Sequence, residues 1–289
     1  MHYTVALVGN PNVGKTAVFN ALTGLTQTTA NYPGVTVACM RPRLHHDAPP
    51  VDLLDLPGAY SLAARSPDEM IVADILLGQQ PGESPIDAIL VVVDASNLQR
   101  NLYFASQLLE LNKPVIVALN MTDVAERRGL RIDPQALSEA LDAPVVPIQA
   151  VRRTGVDALK KVVAQAARNG RPARIPEPPK RTPLHHVPAV EQLLDDLAVR
   201  KDSLGRSVPP LEAYRTLVDQ GGYAEQRLLN VLGNEFAQTL DARRTQAQPN
   251  GKSLAEQEAG LRYAWTRDVF SRAVELPSDA PQQFSEKLD

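Results

Sequence analysis

This 289-residue sequence has one cysteine, little net charge and no long apolar run. The lone cysteine, Cys39, excludes an internal disulfide framework and is typical of a reducing compartment. The longest apolar run, Ile86–Val93, is far shorter than the roughly 18 to 20 residues that a membrane-spanning helix needs. A net charge of -3 argues against a protein built mainly to bind nucleic acid or an anionic bilayer. Because the first residues also lack the basic-then-apolar pattern of a signal peptide, we expect the chain to be soluble and cytoplasmic.

The first half of the sequence alternates short apolar runs with amphipathic stretches. The runs are rich in β-branched residues, as buried strands are, and comprise Tyr3–Val8, Val51–Leu54, Ile86–Val93, Val115–Leu119 and Val145–Ile148. Helical spacing of apolar residues is found in Thr16–Thr23, Asp68–Leu77, Leu98–Leu111, Pro134–Leu141 and Val156–Ala167. The alternation predicts an α/β fold, a mostly parallel sheet with helices on both faces and ligands beyond the carboxyl ends of its strands. Val35–Leu44 is a candidate for an additional edge strand.

The strand pattern stops after residue 170. A proline-rich stretch, residues 171–188, reads as a linker between domains. Helix-spaced apolar residues then recur in Val190–Ser203, Pro210–Asp219, Tyr223–Leu240 and Ser253–Val274. We therefore predict a first domain over residues 1–170, a small all-helical domain over 189–275, and a polar connector over 276–289.

The strongest motif is the phosphate-loop pattern G-x-x-x-x-G-K-[ST] at Gly9–Thr16, between a predicted strand and a predicted helix. Glycines at these positions let backbone N–H groups surround phosphate oxygens, and the helix N-terminus adds positive potential. Lys15 is expected to reach the β- and γ-phosphates, and Thr16 to ligate Mg2+. The predicted phosphate-binding residues are Gly9, Asn10, Pro11, Asn12, Val13, Gly14, Lys15 and Thr16.

Two further segments carry candidates for the magnesium shell. Asp55 ends a predicted strand and opens Asp-Leu-Pro-Gly, where the acid would hold the Mg2+ shell through water and the Gly58 backbone would sense the γ-phosphate. Alone this tetrapeptide is only a turn signal, but behind a phosphate loop the functional interpretation is favoured. Thr36 is the candidate for a second hydroxyl ligand in a loop ordered by triphosphate, although a threonine in an edge strand is also common.

The base is predicted to be guanine. Asn120-Met121-Thr122-Asp123 follows a predicted strand and resembles the N-K-x-D motif, in which the Asp123 carboxylate would accept from guanine N1–H and the 2-amino group. Adenine offers no such donors, so GTP is favoured over ATP. Met121 replaces the usual lysine, and an Asx turn ending a strand is the plain alternative. The last guanine loop is predicted at Gln149, Ala150 and Val151, where Gln149 departs from the usual Ser or Thr.

Longer segments extend the resemblance to one family. They are Gly9–Thr16, Tyr32–Val37, Asp55–Ser61, Val93–Tyr103 and Ala118–Asp123. Together they resemble the bacterial ferrous-iron transport protein B family, closely over about the first 165 residues and more loosely beyond. Tyr32 and Ala38 depart from it, standing where the family commonly has Trp and an acid.

The resemblance implies a Ras-like P-loop GTPase on the cytoplasmic side of the bacterial inner membrane. Its nucleotide state would regulate Fe2+ uptake, and its helical domain would modulate nucleotide affinity. It also implies a membrane domain after the connector, accessory iron-transport proteins as further partners, and a homo-oligomer as one assembly.

The resemblance implies a mechanism as well. Ala59 follows Gly58 where Ras-like enzymes place a water-orienting glutamine, and related GTPases with an apolar residue there often use K+. Asn12 would hold that K+, with Lys15, Thr36, Gly58 and Asn12 as the catalytic group and Thr16, Thr36 and Asp55 around Mg2+. A loop-stabilising amide is the alternative for Asn12.

The sequence leaves two other functions open. An RNA- or ribosome-associated assembly GTPase shares the generic loops, but residues 171–289 hold 16 Lys and Arg against 17 Asp and Glu, which disfavours it. A nucleotide-dependent docking module with little turnover is the other. His45-His46 and His185-His186 are expected to be surface residues rather than metal ligands.

Overall fold

The computed structural model describes residues 3–25, 43–44, 50–79, 85–111, 113–169, 188–205, 207–248 and 251–276. Several sequence predictions lie outside these ranges. They are Tyr32, Thr36, Ala38, Cys39, both histidine pairs, most of the predicted edge strand, nearly all of the predicted linker and most of the connector.

The centre of the fold is a six-stranded sheet, and the α/β prediction is confirmed. Its strands are β1 (Tyr3–Gly9), β2 (Arg43–Leu44), β3 (Val51–Asp55), β4 (Ala88–Asp94), β5 (Val115–Asn120) and β7 (Val145–Pro147). They lie in the order β2-β3-β1-β4-β5-β7. All neighbours pair in parallel except the edge strand β2, which is antiparallel to β3. Since parallel strands end at one edge, the loops after β1, β3, β5 and β7 converge there.

Among the described residues of the first half, six α-helices accompany the sheet. They are α1 (Lys15–Thr23), α2 (Pro67–Leu76), α3 (Leu98–Leu109), α4 (Thr122–Arg127), α5 (Pro134–Leu141) and α6 (Val156–Asn169). Side chains of α1 and α6 pack in one apolar core with one face of the sheet, and those of α2, α3 and α5 pack in a second core with the other. The sheet is therefore covered on both faces, which explains the unbroken apolar pattern of its strands.

The second half is helical, as predicted, but not entirely so. Its described elements are α7 (Pro188–Ala198), α8 (Lys201–Leu204), α9 (Pro210–Val218), α10 (Tyr223–Gln246), α11 (Leu254–Ala273) and the short strand β8 (Val274–Glu275). Three details correct the sequence prediction. The stretch predicted as one helix after residue 190 is two helices, α10 contains a non-helical residue at Gly233, and the chain leaves α11 to form β8.

The two halves share a core. Buried residues of α7, α9, α10 and α11 belong to the same apolar cluster as those of α2, α3 and α5. In addition, β8 pairs antiparallel with β6 (Arg131–Ile132), between α4 and α5. The domain boundaries predicted at residues 170 and 189 rest on the sequence pattern alone and stay a prediction.

Candidate functional site

The loop from Gly9 to Lys15 is built to leave backbone N–H groups open. It begins where β1 ends, and two of its residues, Asn12 with φ 68° and Gly14 with φ 81°, take the left-handed conformation. Gly14 precedes α1 as its N-cap and provides no side-chain cap. The first N–H groups of α1 are therefore available to an anion, and the helix dipole adds to the attraction. Asn12 and Thr16 are both exposed at this site.

Close packing explains three glycines of the site. A Cβ on Gly14 would lie 2.5 Å from Nδ2 of Asn120, and one on Gly9 would lie 2.8 Å from the carbonyl oxygen of Val92. A Cβ on Gly58 would lie 3.2 Å from Pro11. The loop after β3 is thus pressed against the phosphate loop, and it is also hydrogen-bonded there, since the Ala59 N–H donates to the carbonyl oxygen of Gly9 at 3.2 Å.

Lys15 and Asp55 form an ion pair at the centre of the site. Both side chains are largely buried, with exposed fractions of 15% and 10%. Burial raises the pKa of Asp55, and the neighbouring Lys15 ammonium counteracts only part of that effect. The structure therefore brings together a cation suited to phosphate and a carboxylate suited to Mg2+, as the sequence predicts.

Asn120 connects the phosphate loop with the last predicted base loop. Its Nδ2 donates to the carbonyl oxygen of Val13 at 3.0 Å, and its Oδ1 accepts from the Ala150 N–H at 3.1 Å. Asn120 is buried at the end of β5, and Met121 follows it in the left-handed conformation, with φ 62°. The N–H of Ala150, a residue of the predicted guanine loop, is thus bound to Asn120 in this structure.

Asp123 lies in the first turn of α4 and has two cationic neighbours. Arg127 lies 3.4 Å from its carboxylate and Arg152 lies 4.0 Å from it. Both arginines are more than half exposed, so these pairs are weak. Sequence reasoning missed them, although the i, i+4 spacing of Asp123 and Arg127 is a signal that could have revealed the first.

Gln149 makes hydrogen bonds both within its own loop and to the segment that follows β5. The Gln149 N–H donates to the carbonyl oxygen of Thr154 at 3.0 Å, and the Gln149 side chain donates to Thr122 Oγ1 at 3.4 Å. Val151 is 89% exposed. The unusual glutamine thus links the two predicted base loops, while Val151 presents an open apolar side chain.

Residues 3–163, more than half of the chain, match the model of a family described as ferrous iron transport protein B. The chain belongs to this family. A relative named Fe(2+) transporter FeoB from Legionella pneumophila (strain Paris) is 34% identical over 98% of this chain. A Salmonella typhimurium protein of the same name is 48% identical over 55% of it. The chain spans 35% of the length of the first relative, and the matching part of the chain covers 21% of the second.

Solved structures of this family match most of the chain. The cytosolic domain of L. pneumophila FeoB has a TM-score of 0.65 at 32% identity, covering 94% of this chain and 99% of that one. The S. thermophilus NFeoB bound to mGMPPNP has a TM-score of 0.71 at 32% identity, covering 96% and 100%. The T. maritima cytosolic domain in a GMPPNP form has a TM-score of 0.70 at 29% identity, covering 94% and 99%. The fold of this FeoB-family chain is therefore that of a P-loop GTPase.

The segment between β3 and α2 of this FeoB-family chain is held by side chains. Ser66 caps α2, accepting from the Glu69 N–H, and the Glu69 carboxylate accepts from the Arg65 N–H at 3.0 Å. Further along, Gln107 of α3 accepts from the Leu62 N–H at 2.7 Å, a contact that no sequence pattern indicated.

Within the described ranges, no group of three or more His, Cys, Asp and Glu side chains is arranged to hold a metal ion. None of the helices described is long and apolar enough to cross a membrane.

Proposed function

We propose that this chain binds and hydrolyses GTP as the nucleotide-dependent part of a ferrous iron transporter. Asn120 carries the proposal, because its side chain joins the phosphate loop at Val13 to the base loop at Ala150. One ligand that carries both a triphosphate and a base would contact both loops. The site is therefore read as a nucleotide site rather than a simple anion site.

Phosphate recognition is assigned to the open N–H groups at the start of α1 and to the Lys15 side chain. Lys15 is paired with Asp55 in this structure, so triphosphate and Mg2+ together would replace that pair by Lys15 on phosphate and Asp55 on the Mg2+ shell. The oxygen donors Thr16 and Asp55 fit a hard divalent cation. When bound, Mg2+ neutralises charge on the β- and γ-phosphate oxygens. Thr36 is proposed as a further ligand.

Base recognition is assigned to Asp123, with Met121 flanking the ring and the 149–151 loop closing over it. A carboxylate accepts from the N1–H and 2-amino group of guanine and finds no such donors in adenine. Arg127 and Arg152 partly neutralise Asp123 before the base arrives. Solved relatives bound to mGMPPNP or in a GMPPNP or GDP form support a guanine nucleotide here as well.

Hydrolysis requires water to attack the γ-phosphorus while the bond to the β–γ bridging oxygen breaks, releasing GDP and phosphate. Ala59 has no side chain that could orient this water, so backbone groups near Gly58 are proposed to do so. A K+ ion held by Asn12 would add positive charge beside the phosphates. The exposed, left-handed position of Asn12 in the loop suits this role.

The family assignment supports a role in iron transport. The curated relatives are named as Fe(2+) transporters and are about three times as long as this chain. We propose that this chain is the cytosolic GTPase and helical part of such a transporter, and that nucleotide state regulates Fe2+ passage through a membrane part. Accessory proteins and a homo-oligomer remain candidate partners.

Phosphate release from GTP and ATP, each measured with Mg2+ in K+ and in Na+, tests the enzymatic proposal. We expect GTP alone to be hydrolysed, faster in K+. Lys15→Ala should abolish turnover and Asn12→Ala should abolish only the K+ stimulation. Lys161→Ala and Asn230→Ala, both at exposed helical positions, are the matched controls. Equal use of ATP contradicts the guanine assignment, and tight GTP binding without turnover favours a docking module.

A further inference from the structure

Gln107 is buried in α3 and points at the segment that follows Gly58. Its side chain has no exposed surface, and its Oε1 accepts a hydrogen bond from the Leu62 backbone N–H at 2.7 Å. Leu62 lies four residues after Gly58, in a stretch without helix or strand between β3 and α2. A single side chain thus ties the backbone of this stretch to α3.

The other end of the Gln107 amide is unsatisfied. Because the Leu62 N–H needs an acceptor, Oε1 must face it, and Nε2 points elsewhere. Nε2 is buried and has no hydrogen-bond partner among the described residues. A buried donor without a partner is destabilising, so stability alone would favour a side chain that accepts from the Leu62 N–H without burying an unpaired N–H group of its own. Gln107 is therefore better suited to an arrangement of the neighbouring backbone in which Nε2 also has an acceptor.

The helix that carries Gln107 is also held by α11. Ser106 Oγ and Glu110 Oε2 accept from the Arg262 guanidinium of α11 at 2.9 Å and 2.6 Å, and Arg262 is fully buried. Glu258 accepts from the same guanidinium at 2.7 Å. A buried charge network of this kind resists displacement, because removing one partner leaves a buried charge unpaired. α3 is thus the fixed side of the contact, and the backbone around Leu62 is the side that can rearrange.

We propose that Gln107 is a positioning residue for GTP hydrolysis, which sets the backbone between Gly58 and Leu62 relative to the γ-phosphate. In the triphosphate-bound arrangement, Nε2 gains a backbone carbonyl of the same stretch as its partner. This inference rests on the proposed GTPase function. It assigns Gln107 no contact with the nucleotide, so ground-state binding of GDP is independent of it.

Gln107→Met tests the proposal, because methionine keeps the length and burial of the side chain and removes both polar atoms. Gln99→Met, on the first turn of the same helix, is the matched control. We expect Gln107→Met to lower kcat for GTP about tenfold, with KM and the Kd of GDP within about twofold of wild type. Hydrogen exchange at the Leu62 amide of the nucleotide-free protein should be about tenfold faster, and exchange in α1 should not change.

Three results would overturn the proposal. One is an unchanged kcat in Gln107→Met. Another is a parallel loss of kcat and GDP affinity, which indicates a merely structural role. The third is a Leu62 amide that exchanges in the wild-type protein as fast as an unprotected one, and this measurement does not depend on any variant folding. If the wild type binds GTP without hydrolysing it, the proposed function fails, while the exchange data still decide whether Gln107 holds Leu62.

Discussion

Asn120 and Val13 are 107 residues apart in the sequence, yet the Asn120 amide nitrogen lies 3.0 Å from the Val13 carbonyl oxygen. The contact closes the phosphate loop onto the end of β5. Asn120→Ala would leave the Val13 carbonyl oxygen and the Ala150 N–H without this partner. Each lost buried hydrogen bond costs roughly 1 to 3 kcal/mol.

We therefore expect Asn120→Ala to lower the free energy of unfolding by about 2 kcal/mol or more and to weaken GDP binding at least about tenfold. Urea unfolding and titration with a fluorescent GDP measure the two effects. Asn230→Ala, at an exposed position of α10, should change neither. Unaltered GDP affinity in Asn120→Ala would mean that the link between the phosphate loop and the base loop does not matter for binding. That result would contradict the nucleotide assignment.

Gly14→Ala should weaken nucleotide binding. The residue has φ 81°, and a Cβ would lie 2.5 Å from Nδ2 of Asn120. Gly24→Ala is a matched control, because Gly24 has φ 74° but nothing lies within 4 Å of its Cβ position.

Both alanines should cost about 1 to 2 kcal/mol of backbone strain. Only Gly14→Ala should also displace Asn120 and weaken GDP binding by more than about tenfold. Unfolding curves of both variants measure the backbone strain. GDP titrations of both variants measure the additional effect of the steric clash with Asn120. Equal GDP affinity in the two variants would mean that the close approach of Gly14 to Asn120 does not matter for binding.

Asp123→Asn should change the base preference from guanine to xanthine. Xanthine carries a carbonyl oxygen in place of the guanine 2-amino group, and an asparagine amide can donate to that oxygen where a carboxylate cannot. We expect GTP affinity to fall by about a hundredfold or more and XTP affinity to rise. Competition titrations with GTP and XTP measure the change, and Asp142→Asn, at an exposed left-handed position, is the control. Retained GTP preference would rule out Asp123 as the base-reading carboxylate.

Glu258 should stabilise the fold in a pH-dependent way. It accepts from Arg215 at 2.7 and 2.8 Å and from Arg262 at 2.7 Å. Burial alone would raise the pKa of Glu258, but the two guanidiniums together outweigh burial and hold the pKa below the ordinary 4.5. A carboxyl whose pKa is lowered by folding stabilises fully above the unfolded pKa, and this contribution is lost as pH falls through the folded pKa.

Glu258→Gln should therefore cost roughly 3 to 5 kcal/mol near pH 7, and the difference from wild type should shrink as pH falls below 4.5. Chemical unfolding at a series of pH values measures it. Glu235→Gln, at an exposed position of α10, should show no such trend. A difference that stays constant down to acid pH would mean that the charge of Glu258 contributes nothing.

The sequence by itself determined the sheet and the linear motifs. Strands buried on both faces must be apolar throughout, so β1, β3, β4, β5 and β7 were visible as β-branched runs. The phosphate loop was visible because its glycines, lysine and threonine are neighbours in the chain, and α5 because proline opens it after the capping Asp133.

Only the tertiary structure decided the contacts between distant segments. The pairing of β6 with β8 joins two-residue strands whose own sequence is too short to have a period. Likewise, Gln107, Glu110 and Arg262 are polar or charged, and residue types of this kind are expected to be exposed to solvent. They are buried because α11 packs on α3, and burial gives their hydrogen bonds an importance that an exposed polar residue lacks.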